Sequence, residues 1–229
     1  PDIPLMFTSL LGVFLTICAY GAIGLFMSTI TKYQVVAAIG TLAVLAVLNF
    51  IGGVGQDYDF VRNITYWLSI AGRSDSFIEG MIASDDLLYF LIVIGFFLSL
   101  SILKLNTEKS IMSFKTRVMK YSAIVVVTIA LGYITSLPSM KYYYDATYTK
   151  SNTLSKESQD VINNLDGDLT ITTYVNLLDE SFYYGLPRNR NRDLERFEKY
   201  FRFKPEIKMK YVYYYDKTNN SSLEWRYPN

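Results

Sequence analysis

The sequence contains no histidine, and its 229 residues include a single cysteine, Cys18. Histidine is the commonest general base and metal ligand, and one cysteine inside an apolar run has no partner for a disulfide or a zinc site. No phosphate-binding loop of the GxxxxGK type occurs either. We therefore expect no catalytic residue, no metal and no cofactor, and any use of ATP requires a separate chain.

Charged side chains are scarce as far as Leu137 and dense beyond it. The net charge of the chain is +1, which provides no electrostatic argument for a nucleic-acid partner. The first part of the chain instead contains long runs with few or no charged residues, which are typical of membrane-spanning helices. These runs predict an α-helical membrane domain over residues 1–137, with spanning helices at about 5–30, 35–54, 87–103 and 119–137.

The predicted spanning helices carry a few polar side chains. Such residues either line a transport path or pack helices together, and packing is favoured for the first helix because it is also rich in small residues. The candidates are Thr16, Tyr20, Thr41 and Asn49.

The connection Lys104–Lys120 carries five basic residues and only one acidic residue, Glu108. The positive-inside rule therefore places it in the cytoplasm, so that Gly55–Asp86 and everything after Leu137 lie on the outer side of the membrane. The outer segment contains two short amphipathic stretches, Val61–Ala71 and Phe77–Ala83, which are too short to span a membrane and suit its interface.

Acidic residues cluster in this outer segment. They predict either a cation site at the outer mouth or ordinary solvated charges that follow the membrane topology, and the second interpretation is favoured. The residues are Asp57, Asp59, Asp85 and Asp86.

The last apolar run, Tyr121–Leu137, ends at Pro138, which cannot continue a helix. A tyrosine-rich juxtamembrane linker over residues 138–154 follows. Tyrosine rings settle at the headgroup layer of a bilayer, so we expect four of them to anchor the chain at the interface. These are Tyr142, Tyr143, Tyr144 and Tyr148.

Residues 155–229 read as the start of an external α/β domain. Ser155 is a candidate helix N-cap, and the strand-like runs Leu169–Val175 and Ile207–Tyr215 flank a helical pattern at Asp193–Phe203. Strand, helix and strand in this order predict a parallel pair of strands. The basic and aromatic stretch Arg188–Lys204 is a candidate polyanion site, but a solvated helix face is favoured because acidic residues are interleaved with the basic ones.

Two membrane segments, GLFMSTITKYQVVAAI (Gly24–Ile39) and DSFIEGMIASDDLLYFLIVIGFFL (Asp75–Leu98), resemble the last helices of type-2 ABC exporter permeases, particularly the gliding-motility type of Bacteroidetes. The segment Tyr142–Leu177 is similar to the start of the auxiliary substrate-binding-like domain that partners such permeases. The resemblance implies a fusion of permease and auxiliary subunit, with short re-entrant helices between the last two permease helices. We expect the chain to be an internal fragment of a longer protein.

The resemblance further implies a non-enzymatic subunit of an ATP-driven transporter. Its partners would be an ATP-binding cassette ATPase in trans, a second permease protomer and the lipid bilayer, and its external domain would engage substrate or a partner in the periplasm. The alternative is a membrane-anchored structural or interaction module of a cell-envelope machine such as the gliding apparatus. Neither the substrate nor the direction of transport follows from the sequence.

Overall fold

The computed structural model describes residues 2–109, 112–165 and 167–217. Most of these residues are helical, and two small sheets complete the fold. Asp166 and residues 218–229, which belong to the predicted external domain, lie outside the described residues. The elements are, in chain order, α1 (Ile3–Ile30), α2 (Gln34–Phe50), α3 (Asp59–Leu68), α4 (Arg73–Ile78), β1 (Met81–Ala83), α5 (Ser84–Lys109), α6 (Phe114–Ser136), β2 (Tyr143–Asp145), α7 (Lys156–Asn163), β3 (Thr170–Asn176), α8 (Arg190–Phe201) and β4 (Lys208–Tyr214).

Four of the described helices, α1, α2, α5 and α6, are long and apolar enough to cross a membrane. They overlap the four predicted spans, but three helices have clearly different boundaries. Helix α6 begins five residues earlier, at Phe114, α2 ends four residues earlier, at Phe50, and α5 begins three residues earlier and continues to Lys109, six residues beyond the predicted end. The extra turns carry Lys104 and Glu108, which form an ion pair of 2.9 Å one helical turn apart. The apolar run therefore predicted only the apolar part of α5 and missed its polar C-terminal turns.

The described chain forms two compact units. The helical unit comprises residues up to 49 and residues 70–152, and the α/β unit comprises residues 50–69 together with the chain from residue 153 onward. This differs from the predicted division in two places. Residues 50–69, expected in the membrane domain, cluster with the α/β unit, and the expected linker is largely folded into the helical unit, where it contains β2.

The core of the helical unit lies between α1 and α5, which pack along each other. Ala19 and Ile23 of α1 and Phe90 of α5 are fully buried there. α6 packs on α5, while α2 and α6 each bury few side chains. Because their exposed residues are mainly apolar, these two helices present surfaces that suit lipid or another helix.

The short helix α4 packs on the first half of α1. Phe77 of α4 is fully buried, and a Cβ atom at Gly12 would lie 2.6 Å from Phe77 Cβ, so only glycine permits this approach. The expected single amphipathic stretch Phe77–Ala83 is wrong: α4 ends at Ile78, Gly80 adopts a φ of +88°, and a strand follows. The strand β1 pairs antiparallel with β2, which lies about 60 residues further along the chain, so no local pattern reveals it.

The α/β unit confirms the predicted strands and their parallel pairing, with β3 aligned to β4 from Thr170 opposite Lys208 to Asn176 opposite Tyr214. Ser155 caps α7 by accepting a hydrogen bond of 3.3 Å from the Ser158 amide, as predicted. α8 begins at Arg190 and not at Asp193, because the chain enters it directly from a short 3-10 turn.

Candidate functional site

Three of the candidate polar side chains on the spanning helices form hydrogen bonds within their own helices. Thr16 donates to the Gly12 carbonyl at 2.9 Å, and the side chains of Thr41 and Asn49 each donate at 2.8 Å to the carbonyl four residues earlier. Thr41 also lies against Gly24 of α1. Tyr20 is half-buried, one helical turn beyond Thr16. These contacts favour the packing role for Thr41.

A buried ion pair joins α4 to the start of α5. The guanidinium of Arg73 lies 2.8 Å from Asp86, and only 10% and 17% of the two side chains are exposed. Ser76 donates a second hydrogen bond of 2.8 Å to the carboxylate, and the Arg73 guanidinium stacks over the Tyr89 ring at 4.0 Å. Asp86 is therefore neutralised within the chain and is not available as a free cation ligand.

Two further candidate carboxylates also have basic partners. Asp85 pairs with Lys141 at 2.9 Å, and Asp59 pairs with Arg62 at 2.7 Å. The described residues contain no group of three or more acidic or cysteine side chains placed to hold a metal ion. The structure therefore favours paired charges over a cation site for Asp59, Asp85 and Asp86, and it corrects the expectation of a solvated charge at Asp86, which is largely buried.

The four tyrosines proposed as interface anchors occupy different environments. Tyr142, Tyr144 and Tyr148 are exposed by 72%, 61% and 91%, whereas Tyr143 is half-buried in β2. Exposed rings next to the end of a span-capable helix are compatible with contact to headgroups. Their role at an interface stays a prediction.

Asp145, at the end of β2, organises the turn that follows. Its carboxylate accepts hydrogen bonds from the Thr147 amide at 2.9 Å, the Thr147 hydroxyl at 2.6 Å and the Asn152 amide at 2.9 Å. Burial alone would raise the pKa of this carboxyl, but the hydrogen bonds outweigh it and lower the pKa below its ordinary value. Sequence reasoning missed this residue, although Asp followed two positions later by Thr is a recognisable turn pattern.

A clasp in the α/β unit joins the start of α8 to the chain ahead of α3. We use this name for Gly52, Gln56, Arg190 and Asn191. The Asn191 side chain donates to the Gly52 carbonyl at 2.8 Å, the Asn191 amide donates to Gln56 Oε1 at 3.2 Å, and Arg190 donates to the Gln56 and Asp57 carbonyls at 3.4 and 3.2 Å. The first turn of α8 is therefore a packing surface and not a solvated face, which corrects the favoured interpretation of Arg188–Lys204 at that point.

No family model, curated protein or solved structure matches this chain. The candidate residues are therefore judged by the geometry and chemistry of the chain itself.

Proposed function

We propose that the chain is a membrane-spanning subunit of an ATP-driven ABC transporter of the bacterial inner membrane. The helical unit contributes to the transport path, and the α/β unit lies on the periplasmic side, where it engages substrate or a partner protein. ATP is hydrolysed by a separate ATP-binding subunit, and a second permease protomer completes the path.

The observation that carries this proposal is the course of the chain between α2 and α5. After α3 it returns as α4 alongside α1, where Phe77 is fully buried against Gly12. Gly12 is nine residues beyond the start of α1, which corresponds to about 14 Å along the helix axis. A connection that penetrates this far beside a spanning helix is what the resemblance to type-2 exporters implies for their re-entrant segment.

The sparse burial of α2 and α6 supports the expected partners. An apolar helix face that its own chain leaves uncovered is stable against lipid or against the helices of a second protomer. The exposed residues Leu42 on α2 and Val126 on α6 illustrate such faces. Both surfaces would be unfavourable in water, which supports insertion of these helices in a bilayer.

A second candidate function, a membrane-anchored module of an envelope machine, is favoured by a different observation. The hydroxyls of Thr16 and Thr41 donate their single protons to their own helices, and Asn49 donates one of its two amide protons in the same way, so few donors are left for a passing solute. Helices of this kind suffice to hold an external unit at the membrane without a polar path.

Purification of the full-length protein from its native membranes in a mild detergent separates the two functions. We expect an ATP-binding cassette protein to copurify in stoichiometric amount, and the complex to hydrolyse ATP after reconstitution in liposomes. Replacing the catalytic glutamate of that ATPase should abolish hydrolysis and leave the complex assembled. Envelope proteins without a nucleotide-binding subunit, and no hydrolysis above that of empty liposomes, would contradict transport and support the anchor.

A further inference from the structure

The α/β unit contains an open cavity of about 470 Å³ between α3, α8 and β4. Cavities of a few hundred Å³ that combine apolar walls with a few polar groups are typical of small-molecule sites. The apolar part of this wall is formed by Leu194, Phe201 and Met209, each of which is only half-buried. An occupant with an apolar body would remove this surface from water.

The charged part of the wall is predominantly basic. Four basic residues line the cavity against one acidic residue, Asp59. Asp59 pairs with Arg62 but is itself 79% exposed, so a solvated carboxylate compensates a guanidinium side chain that is only 14% exposed. The four basic residues are Arg62, Arg190, Lys208 and Lys210.

Arg190 is the least compensated of these cations. Its terminal nitrogens donate to the Gln56 and Asp57 carbonyls and to the Tyr213 hydroxyl, and its guanidinium lies over the Tyr211 ring at 4.8 Å. Within the described part of the chain it pairs with no carboxylate, and its buried Nε has no acceptor. A partly buried cation without a counter-charge is unfavourable, and an anion in the cavity would relieve this cost.

The neighbouring acidic groups do not supply the missing charge. Asp193 accepts a hydrogen bond of 2.9 Å from the Tyr211 hydroxyl and lies 4.0 Å from Arg196. Asp168 pairs with Lys208 at 2.7 Å. Among the described residues Lys210 has no ion-pair partner, so Arg190 and Lys210 are the two lining cations that an anion would meet without competition.

We propose that this cavity binds a small organic anion, a carboxylate or phosphate monoester attached to an apolar body. Arg190 holds the anionic group, the exposed Lys210 adds positive charge at the rim, and Leu194, Phe201 and Met209 contact the apolar part. The proposal rests on the substrate-engaging role suggested above for the α/β unit. Its test is a binding measurement without any ATPase, so that failure of one proposal is distinguishable from failure of the other.

The experiment is titration calorimetry of the full chain in nanodiscs of uncharged phosphatidylcholine, with the heat from empty nanodiscs subtracted. The probes are hexyl phosphate, hexanoate, inorganic phosphate and hexyltrimethylammonium. We expect saturable binding of at least one of the first two, about tenfold tighter than inorganic phosphate, because the hexyl chain buries apolar surface. The comparison of hexyl phosphate with hexanoate identifies which anionic group the site prefers.

The variant Lys210→Gln should weaken the binding of the preferred probe about fivefold, because one positive charge is lost at the rim, and Lys210→Glu should weaken it further. Lys156→Gln and Lys156→Glu are the matched controls: they change the net charge of the same unit equally, but Lys156 does not line the cavity. The melting temperature of each variant in nanodiscs reports whether it is folded. Leu194→Ala should weaken the hexyl probe and leave inorganic phosphate unaffected.

Three results would each overturn the proposal. These are an absence of saturable binding by both hexyl anions, equal binding of hexyltrimethylammonium, and equal binding of inorganic phosphate. Equal losses of affinity in the Lys210 and Lys156 variants would also overturn it, because the loss would then depend only on the net charge of the unit.

Discussion

Arg73 and Asp86 show how much the setting of an ion pair changes its contribution. Their side chains are largely buried and a third residue, Ser76, bonds the same carboxylate. Lys104 and Glu108 form a second ion pair, with both residues on α5. Their side chains are 32% and 56% exposed. Water and ions screen the second pair and not the first, so equal distances do not imply equal energies.

We expect Arg73→Ala to lower the free energy of unfolding by about 3–5 kcal/mol, because it leaves the buried Asp86 carboxylate without its counter-charge. Lys104→Ala is the control and should cost about 0.5 kcal/mol. Both are measured by denaturant unfolding in mixed micelles. Similar losses in the two variants would show that Asp86 is solvated in the folded protein.

The lowered pKa of Asp145 predicts an acid-sensitive turn. A carboxyl whose pKa is depressed on folding stabilises the fold at a pH above its ordinary pKa of 3.8, and this stability is lost as the pH falls through the folded pKa. Asp145→Asn should therefore be less stable than the native chain at neutral pH, and the difference should shrink below about pH 3.8. The measurement is the unfolding midpoint as a function of pH. A difference independent of pH would mean that charge on Asp145 does not contribute.

At the scale of elements, the clasp ties α8 to a segment more than 130 residues earlier in the chain. Gln56 is buried. Its side-chain oxygen and its main-chain oxygen each accept a hydrogen bond from α8. Because the segment 50–57 has little regular structure of its own, these bonds contribute to its conformation within the α/β unit, together with a bond from Thr65 of α3 to the Val54 carbonyl.

Asn191→Ala removes the donor to the Gly52 carbonyl and should cost about 1–2 kcal/mol. We expect faster amide hydrogen exchange in residues 52–57, measured by mass spectrometry. Asn63→Ala, an exposed position on α3, is the control and should leave exchange unchanged. Unaltered exchange in the Asn191 variant would show that the clasp does not hold the segment.

The tyrosines after α6 allow a prediction about the strand β2. Replacing the exposed Tyr142 and Tyr144 by serine should leave the unfolding free energy nearly unchanged but loosen the contact with the bilayer, whereas Tyr143→Ser should destabilise the fold because that ring is half-buried. A spin label at Thr149, on a Cys18→Ala background, reports the depth of the segment. Loss of stability without a change in depth in the double variant would assign these rings to the core.

At the scale of the whole molecule, the distribution of basic residues predicts the orientation in the membrane. We expect a cysteine at Asp57 to react with an impermeant maleimide in cells with a permeabilised outer membrane, and a cysteine at Lys109 to remain unlabelled until the inner membrane is opened. Both variants are made on a Cys18→Ala background. The opposite pattern of labelling would invert the proposed topology.

Local patterns in the sequence were sufficient for much of the architecture. The apolar runs located the four span-capable helices, the Ser155 cap located α7, and alternating residues located β3 and β4, whose parallel pairing followed from the order strand, helix, strand. The positions of these helices and strands depend on residues that are close together in the chain, so local patterns predict them.

Only the tertiary structure decided the pairing of β1 with β2, the burial of Phe77 against Gly12, the ion pair between Arg73 and Asp86 and the inclusion of residues 50–69 in the α/β unit. Each brings together residues that belong to separate elements, in most cases far apart in the chain. Their contacts form because burial and hydrogen bonding outweigh the entropy lost in closing the intervening loops. The periodicity of the sequence does not predict which of these residues come into contact. The sequence by itself therefore located the four span-capable helices together with α7, α8, β3 and β4, whereas tertiary packing decided β1, β2 and the contacts between elements.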